Sequence, residues 1–235
     1  MTTPYPDYHE WVAYCFEQGY SDFHEDEKTA DEPKEVIWER EERFCGRIPY
    51  DVLTEYGIRL FEQPAFLIEK YTDQQITEGV WFLFGSASEY FHDFRDKVVP
   101  TDNQLALMHS VATMYTDLFD RVCNRHGKDP DEDCVNELPL DVAVFMIWDM
   151  SCIEGPLCFP KDHPHLVDPS FDVLETALFK CRTSTCKLSA LHGLGEVQRK
   201  HQERVHELID RFLDQPDQPE FLREYAVSAR SGDVL

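Results

Sequence analysis

CKLSALHGLGE, residues 186–196, holds a cysteine, a histidine and two glycines two positions apart, and its reading decides the fold. Three readings compete for it: a metal corner, a phosphate-cradling loop, or the place where a helix stops. A dinucleotide loop needs G-x-G-x-x-G after a strand, and here Gln198 stands where the third glycine belongs. Upstream, Cys186, Ser189, Ala190 and Leu191 recur at helical spacing as a face of small residues. The stretch therefore predicts a helix that stops at its glycines and a second helix in VQRKHQERVHELIDRFL, residues 197–213. His192, Gly193 and Gly195 form the turn of this hairpin, and one of the glycines is expected in the left-handed region.

The same signals run through the rest of the chain. Residues 101–127 predict a helix of about six turns, opened by a Thr101–Gln104 capping box and closed by Gly127. Thr72 with Gln75 opens another, Asp168 before Pro169 a third, and Asp7 caps a helix through Trp11, Tyr14 and Cys15 that ends at Gly19. YDVLTEYGIRLFEQ packs Val52, Leu53, Tyr56 and Leu60 before Pro64 stops it. PLDVAVFMIWDM, residues 139–150, is apolar nearly all round and reads as a central buried helix, although its periodicity alone also admits a buried strand. Residues 21–35, 127–139 and 152–169 read as connections. Few hairpin turns separate alternating apolar runs, so the fold class is all-α: an antiparallel helical bundle or a short helical-repeat-like stack in a single main domain. Acidic N-terminal helices with a mobile connection span 1–47, the helical core 48–229 and a tail 230–235.

STCKLSALHGLGEV, residues 184–197, followed by HELIDRFL, residues 206–213, resembles one unit of a HEAT-type helical repeat. In such a unit an Ala/Leu-rich helix ends in a Leu-Gly turn before its antiparallel mate. The resemblance covers at most residues 169–229, and it implies a helical stack with a protein-binding surface and no chemistry.

Charge is the chain's most unusual property. The formal net charge is −24, and the first 168 residues carry 35 acids against 13 bases while residues 169–235 carry 11 against 9. Such a field repels nucleic acid and anionic membrane and attracts a basic protein. The densest run lies between Asp22 and Glu42, and Asp22, Glu25, Asp26 and Glu27 are the expected partner-binding residues. No apolar run reaches the ~18 residues of a membrane span, and the start lacks the pattern of a signal peptide. Eight cysteines without that signal read as reduced thiols, and the expected location is cytoplasmic.

Candidate chemistry is sparse. Cys152, Cys158, His163 and His165 share one loop that can bend to a metal, but they lack paired C-x2-C spacing. Cys181 and Cys186 have basic neighbours in Lys180, Arg182 and Lys187, the setting that activates a thiol. HQERVH at 201–206 puts its two histidines about 140° apart on a helix, on different faces. Glu89 with His92 and Glu203 with His206 have the spacing of di-iron bundles but lie away from the apolar faces of their helices. No cofactor is expected. The sequence favours a non-enzymatic protein-interaction domain; the alternatives are an acidic immunity- or antitoxin-like inhibitor of a basic toxin or nuclease, and an enzyme or metalloprotein whose site is assembled from distant residues.

Overall fold

The computed structural model describes residues 5–18, 34–85, 88–124, 138–150 and 152–234. Asp22, Glu25, Asp26, Glu27, Gly19, Gly127, most of 21–35 and residues 127–137 lie outside the described residues. Among the described residues every regular element is helical, and the fold is all-α. The helices are α1 (Tyr8–Ala13), α2 (Lys34–Glu41), α3 (Tyr50–Glu62), α4 (Phe66–Lys70), α5 (Asp73–Phe84), α6 (Tyr90–Asp93), α7 (Thr101–Thr113) and α8 (Asp120–Val122). They continue with α9 (Pro139–Phe145), α10 (Ile147–Met150), α11 (Gly155–Cys158), α12 (Pro164–Lys180), α13 (Ser184–Val197), α14 (Gln202–Leu213) and α15 (Glu220–Ser231). A π-helical stretch, Met114–Phe119, joins α7 to α8 in one rod.

Two of the expected helix starts form as read. Asp7 accepts from the backbone of His9 and Glu10 while Glu10 reaches back to the Asp7 N–H, and Thr72 with Gln75 makes the same reciprocal box. α3 covers the stretch expected to stop at Pro64. PLDVAVFMIWDM is helical rather than a strand, broken between α9 and α10 at Met146, with Leu140, Val144, Ile147 and Trp148 buried.

Other starts and stops differ. Pro100 holds the cap position of α7 and Thr101 is already helical, because Gln104 turns inward. The Gln104 amide donates to the carbonyls of Asp96 and Val99 at 3.1 and 3.2 Å and its oxygen meets His165 Nε2 at 2.8 Å, so it ties the helix to its neighbours instead of closing a box. The rod ends at Val122, five residues before Gly127, where Cys123 turns extended. The third helix begins at Pro164 rather than at Asp168–Pro169. Both prolines suit a first turn; the upstream one takes it, and Pro169 is buried inside the helix.

The largest correction concerns the opening stretch. His192, Gly193 and Gly195 are not a turn: all three are buried within α13, and among the described residues the only glycine with positive φ is Gly232. A Cβ on Gly193 would lie 2.6 Å from Trp148 Cγ, and one on Gly195 would lie 2.6 Å from Val234 Cγ1. The glycines serve close approach of neighbouring segments, and the chain reverses after them, between Val197 and Gln202, where α14 begins. A helix pair follows as expected, but the Leu-Gly element of the HEAT-like pattern lies inside a helix.

α13 is the central element. It packs between α12 and α15 and also meets α9 and α10, while α9 bridges it to α5, and the rod at 101–122 lies between α3 and α12. The N-terminal half closes over an aromatic cluster in which Phe61, Phe84 and Phe91 stack at 4.9 to 6.2 Å. Burying each such ring contributes about 1.5–3 kcal/mol. The two halves are joined by a buried polar chain. Trp148 Nε1 donates to Tyr115 Oη at 2.9 Å, Tyr115 meets Ser189 Oγ at 2.8 Å, and Ser189 donates to the Val144 carbonyl at 2.7 Å. Four helical segments are thus fixed by hydroxyls and an indole that would each be costly to bury alone.

Candidate functional site

An open cleft of about 760 Å³ forms where the turn after α6 meets the segment around α11. Tyr50, Arg95, Cys152, Glu154, Phe159 and His163 line it. Of the four residues proposed from sequence as metal ligands, Cys152 and His163 face this cleft. Cys158 is half-buried nearby, and burial pushes the thiols of both cysteines up rather than toward thiolate. His165 points elsewhere, with its Nε2 engaged by Gln104. Among the described residues, groups of ligand atoms close enough for a metal do not include this quartet.

Sequence reasoning missed the groups that give the cleft its character. Arg95 lies over Gly155, where a Cβ would sit 1.9 Å from its Nη1, and its buried Nε has no hydrogen-bond partner. Facing it, Glu154 is pushed up to about 7 by burial, with the neighbouring carboxylates of Asp149 and Glu196 adding to the effect. One of its oxygens is buried without a partner. Cys152 holds a left-handed backbone at φ 58°, an uncommon conformation for a residue with a side chain. His163 is lowered by burial first and then by Arg95, which favours its neutral ring. Among the described residues the cleft therefore combines a half-buried guanidinium whose Nε has no hydrogen-bond partner, a carboxyl group that titrates near neutrality and a neutral imidazole. This arrangement can hold an anionic group and exchange a proton with it. No local motif announces it, because the burial of Arg95 and Glu154 and the unpartnered Nε and carboxylate oxygen arise only in the packed chain.

The reactive-thiol reading of Cys181 and Cys186 meets a different environment. Both are buried, one thiol hydrogen bond joins their sulfurs, and another joins Cys186 to Cys123. The Cys181 thiol is raised by its bond to Cys186 and by burial, and the Cys186 thiol by burial, so the flanking bases do not activate them. Asp120, beside them, accepts from the backbone N–H groups of Arg182 and Thr183 at 2.7 Å each, and so anchors the α12–α13 connection. The other spaced pairs do not meet. His201 bonds the Leu157 carbonyl at 2.8 Å and His206 the Arg230 carbonyl at 3.0 Å, while Glu89 and His92 are exposed.

Comparison with family models, with curated proteins and with solved structures finds no match to the chain. Among the described residues no helix is long and apolar enough to cross a membrane.

Proposed function

We propose that the protein is a helical protein-interaction domain whose acidic surface receives a basic partner. The observation that carries this is the net charge of −24. The pattern of ion pairs supports it. Arg43, Lys70, Arg204, Arg211 and Arg230 are each engaged with a carboxylate of this chain. Arg59 lies over the Tyr8 ring at 3.8 Å. Asp51, Glu55, Glu62 and Glu69 meanwhile line α3 and α4 in exposed positions, giving a partner a ridge of carboxylates. The potential of such a ridge speeds encounter with a cation-rich surface. An immunity- or antitoxin-like inhibitor is the narrower form of this reading. The test is equilibrium binding of the basic protein retained by the full chain at low salt. The logarithm of the affinity should fall steadily with the logarithm of salt concentration; an affinity independent of salt contradicts the reading.

The Arg95 cleft favours a second reading, an enzyme or binding site for a small anion assembled from distant residues. Thermal-shift titration with small carboxylates and phosphates tests it: a rise in Tm that Arg95→Gln abolishes supports it, and no rise opposes it.

A further inference from the structure

His192 is 1% exposed, with the Phe145 ring 4.8 Å away and the Tyr225 hydroxyl 2.7 Å from Nδ1. Its other nitrogen, Nε2, is buried and has no hydrogen-bond partner. Burial lowers the pKa of the ring and favours the neutral form, with one proton only. With that proton on Nδ1 and given to Tyr225, Nε2 keeps a lone pair that none of the described residues uses. A buried polar atom left in this state destabilises the fold unless a partner reaches it.

Glu196 lies one helical turn further along α13, on the face of His192. Asp149 reaches the same place from α10, because its neighbour Trp148 packs directly on Gly193. One ligand atom from each of Asp149, His192 and Glu196 lies within 4.8 Å of the others. Both carboxylates are exposed, so an ion can enter from solvent, and small side-chain rotations would bring them in. The Tyr225 hydroxyl stands where a second-shell group fixes the tautomer and orientation of a ligating imidazole.

We propose that Asp149, His192 and Glu196 form a site for one first-row divalent cation of the Zn²⁺ or Mn²⁺ class, with water completing its coordination. One imidazole nitrogen with two carboxylates suits these ions better than Ca²⁺, which takes an all-oxygen shell, or Mg²⁺, which keeps its waters. The site differs from the cysteine–histidine quartet considered from sequence and runs against the expectation of no cofactor. It is also independent of the acidic docking ridge, so either can fail without the other.

The test is titration of the EDTA-treated, dialysed full chain with Mn²⁺, followed by the loss of the free-ion EPR signal. Mn²⁺ has little affinity for thiols and so ignores the cysteines. Competition with Zn²⁺ then ranks the two ions. One Mn²⁺ should bind per chain and be displaced by Zn²⁺. Asp149→Asn and Glu196→Gln, at exposed positions that leave the fold intact by circular dichroism, should each weaken binding about tenfold or more, and Tyr225→Phe about tenfold. A Cys152→Ser/Cys158→Ser variant should bind as the wild type does. Failure of the wild type to bind one Mn²⁺ per chain overturns the proposal, and so does undiminished binding by an Asp149→Asn/Glu196→Gln double variant.

Discussion

Gly193 shows what a single missing side chain does in this fold. Its backbone carries Trp148 directly, and a Cβ there would meet Trp148 Cβ at 2.8 Å, within a core already closed by Phe145 and Leu194. Gly193→Ala should therefore destabilise the protein by about 1–3 kcal/mol through overpacking, read as a lower denaturant midpoint with an unchanged slope. A neutral or stabilising result would mean that α10 and α13 do not approach as described. Glu154 makes the complementary case for charge. Its folded pKa lies above the ordinary carboxylate value, near 7, because burial disfavours the ion. Between those values the unfolded chain has lost a proton that the folded chain keeps, so ionising Glu154 costs stability as pH rises, by up to about 1.4 kcal/mol per pH unit. His163 and His192, both lowered by burial, slope the other way in part of this range, so the informative quantity is the wild type minus Glu154→Gln. That difference should fall between about pH 5 and pH 7.5 and be flat at lower pH. A difference constant across the range contradicts the environment assigned to Glu154.

Among the elements, the ends of helices are decided by whichever partner is nearest in space. Thr72 and Gln75 are exposed or half-buried and free to close their local box, whereas Gln104 is 5% exposed and spends its amide on Asp96, Val99 and His165. The two signatures are alike in sequence and differ only in what surrounds them. The all-α class was legible because helical periodicity and the shortage of turn pairs are local facts, whereas the periodicity of 139–150 admitted a strand as well as the helices that form there. The roles of Gly193 and Gly195 were not, since a glycine required by a neighbouring Trp148 or Val234 looks in sequence like one required by a turn. The candidate cleft divides in the same way. Cys152 and His163 stood out by residue type, while Arg95 and Glu154 matter through burial and through contacts they lack. Asp120 gives an element-scale prediction. It anchors the connection before α13 from another helix, and Asp120→Ala leaves two backbone donors unsatisfied and Arg182 without its carboxylate. The cost should be about 2 kcal/mol, with Asp120→Asn milder because one acceptor oxygen remains. Equal losses for the two variants, measured by urea unfolding, would assign the effect to charge and not to the backbone hydrogen bonds.

Over the whole molecule, one sign of charge outweighs the other, and the chain's own bases do not offset it. Arg211 and Arg230 pair with Glu175 and Asp210 within residues 169–235, which are close to balanced, and Arg204 pairs with Asp168, while the excess sits in the first 168 residues. Exposed carboxylates of this kind contribute little to folding individually, so their consequence is sought in encounter with other molecules. The proposed steering of a basic protein to this surface is tested by the association rate of the partner retained at low salt, measured at two ionic strengths. The measurement is made for the wild type, for an Asp22→Asn/Glu25→Gln/Asp26→Asn/Glu27→Gln variant and for a Glu55→Gln/Glu62→Gln/Glu69→Gln variant. The wild-type rate should be about tenfold or more higher at low salt, with a flatter salt dependence in both variants and dissociation rates that change little. Association rates that are the same for all three proteins at low salt would contradict the proposed steering.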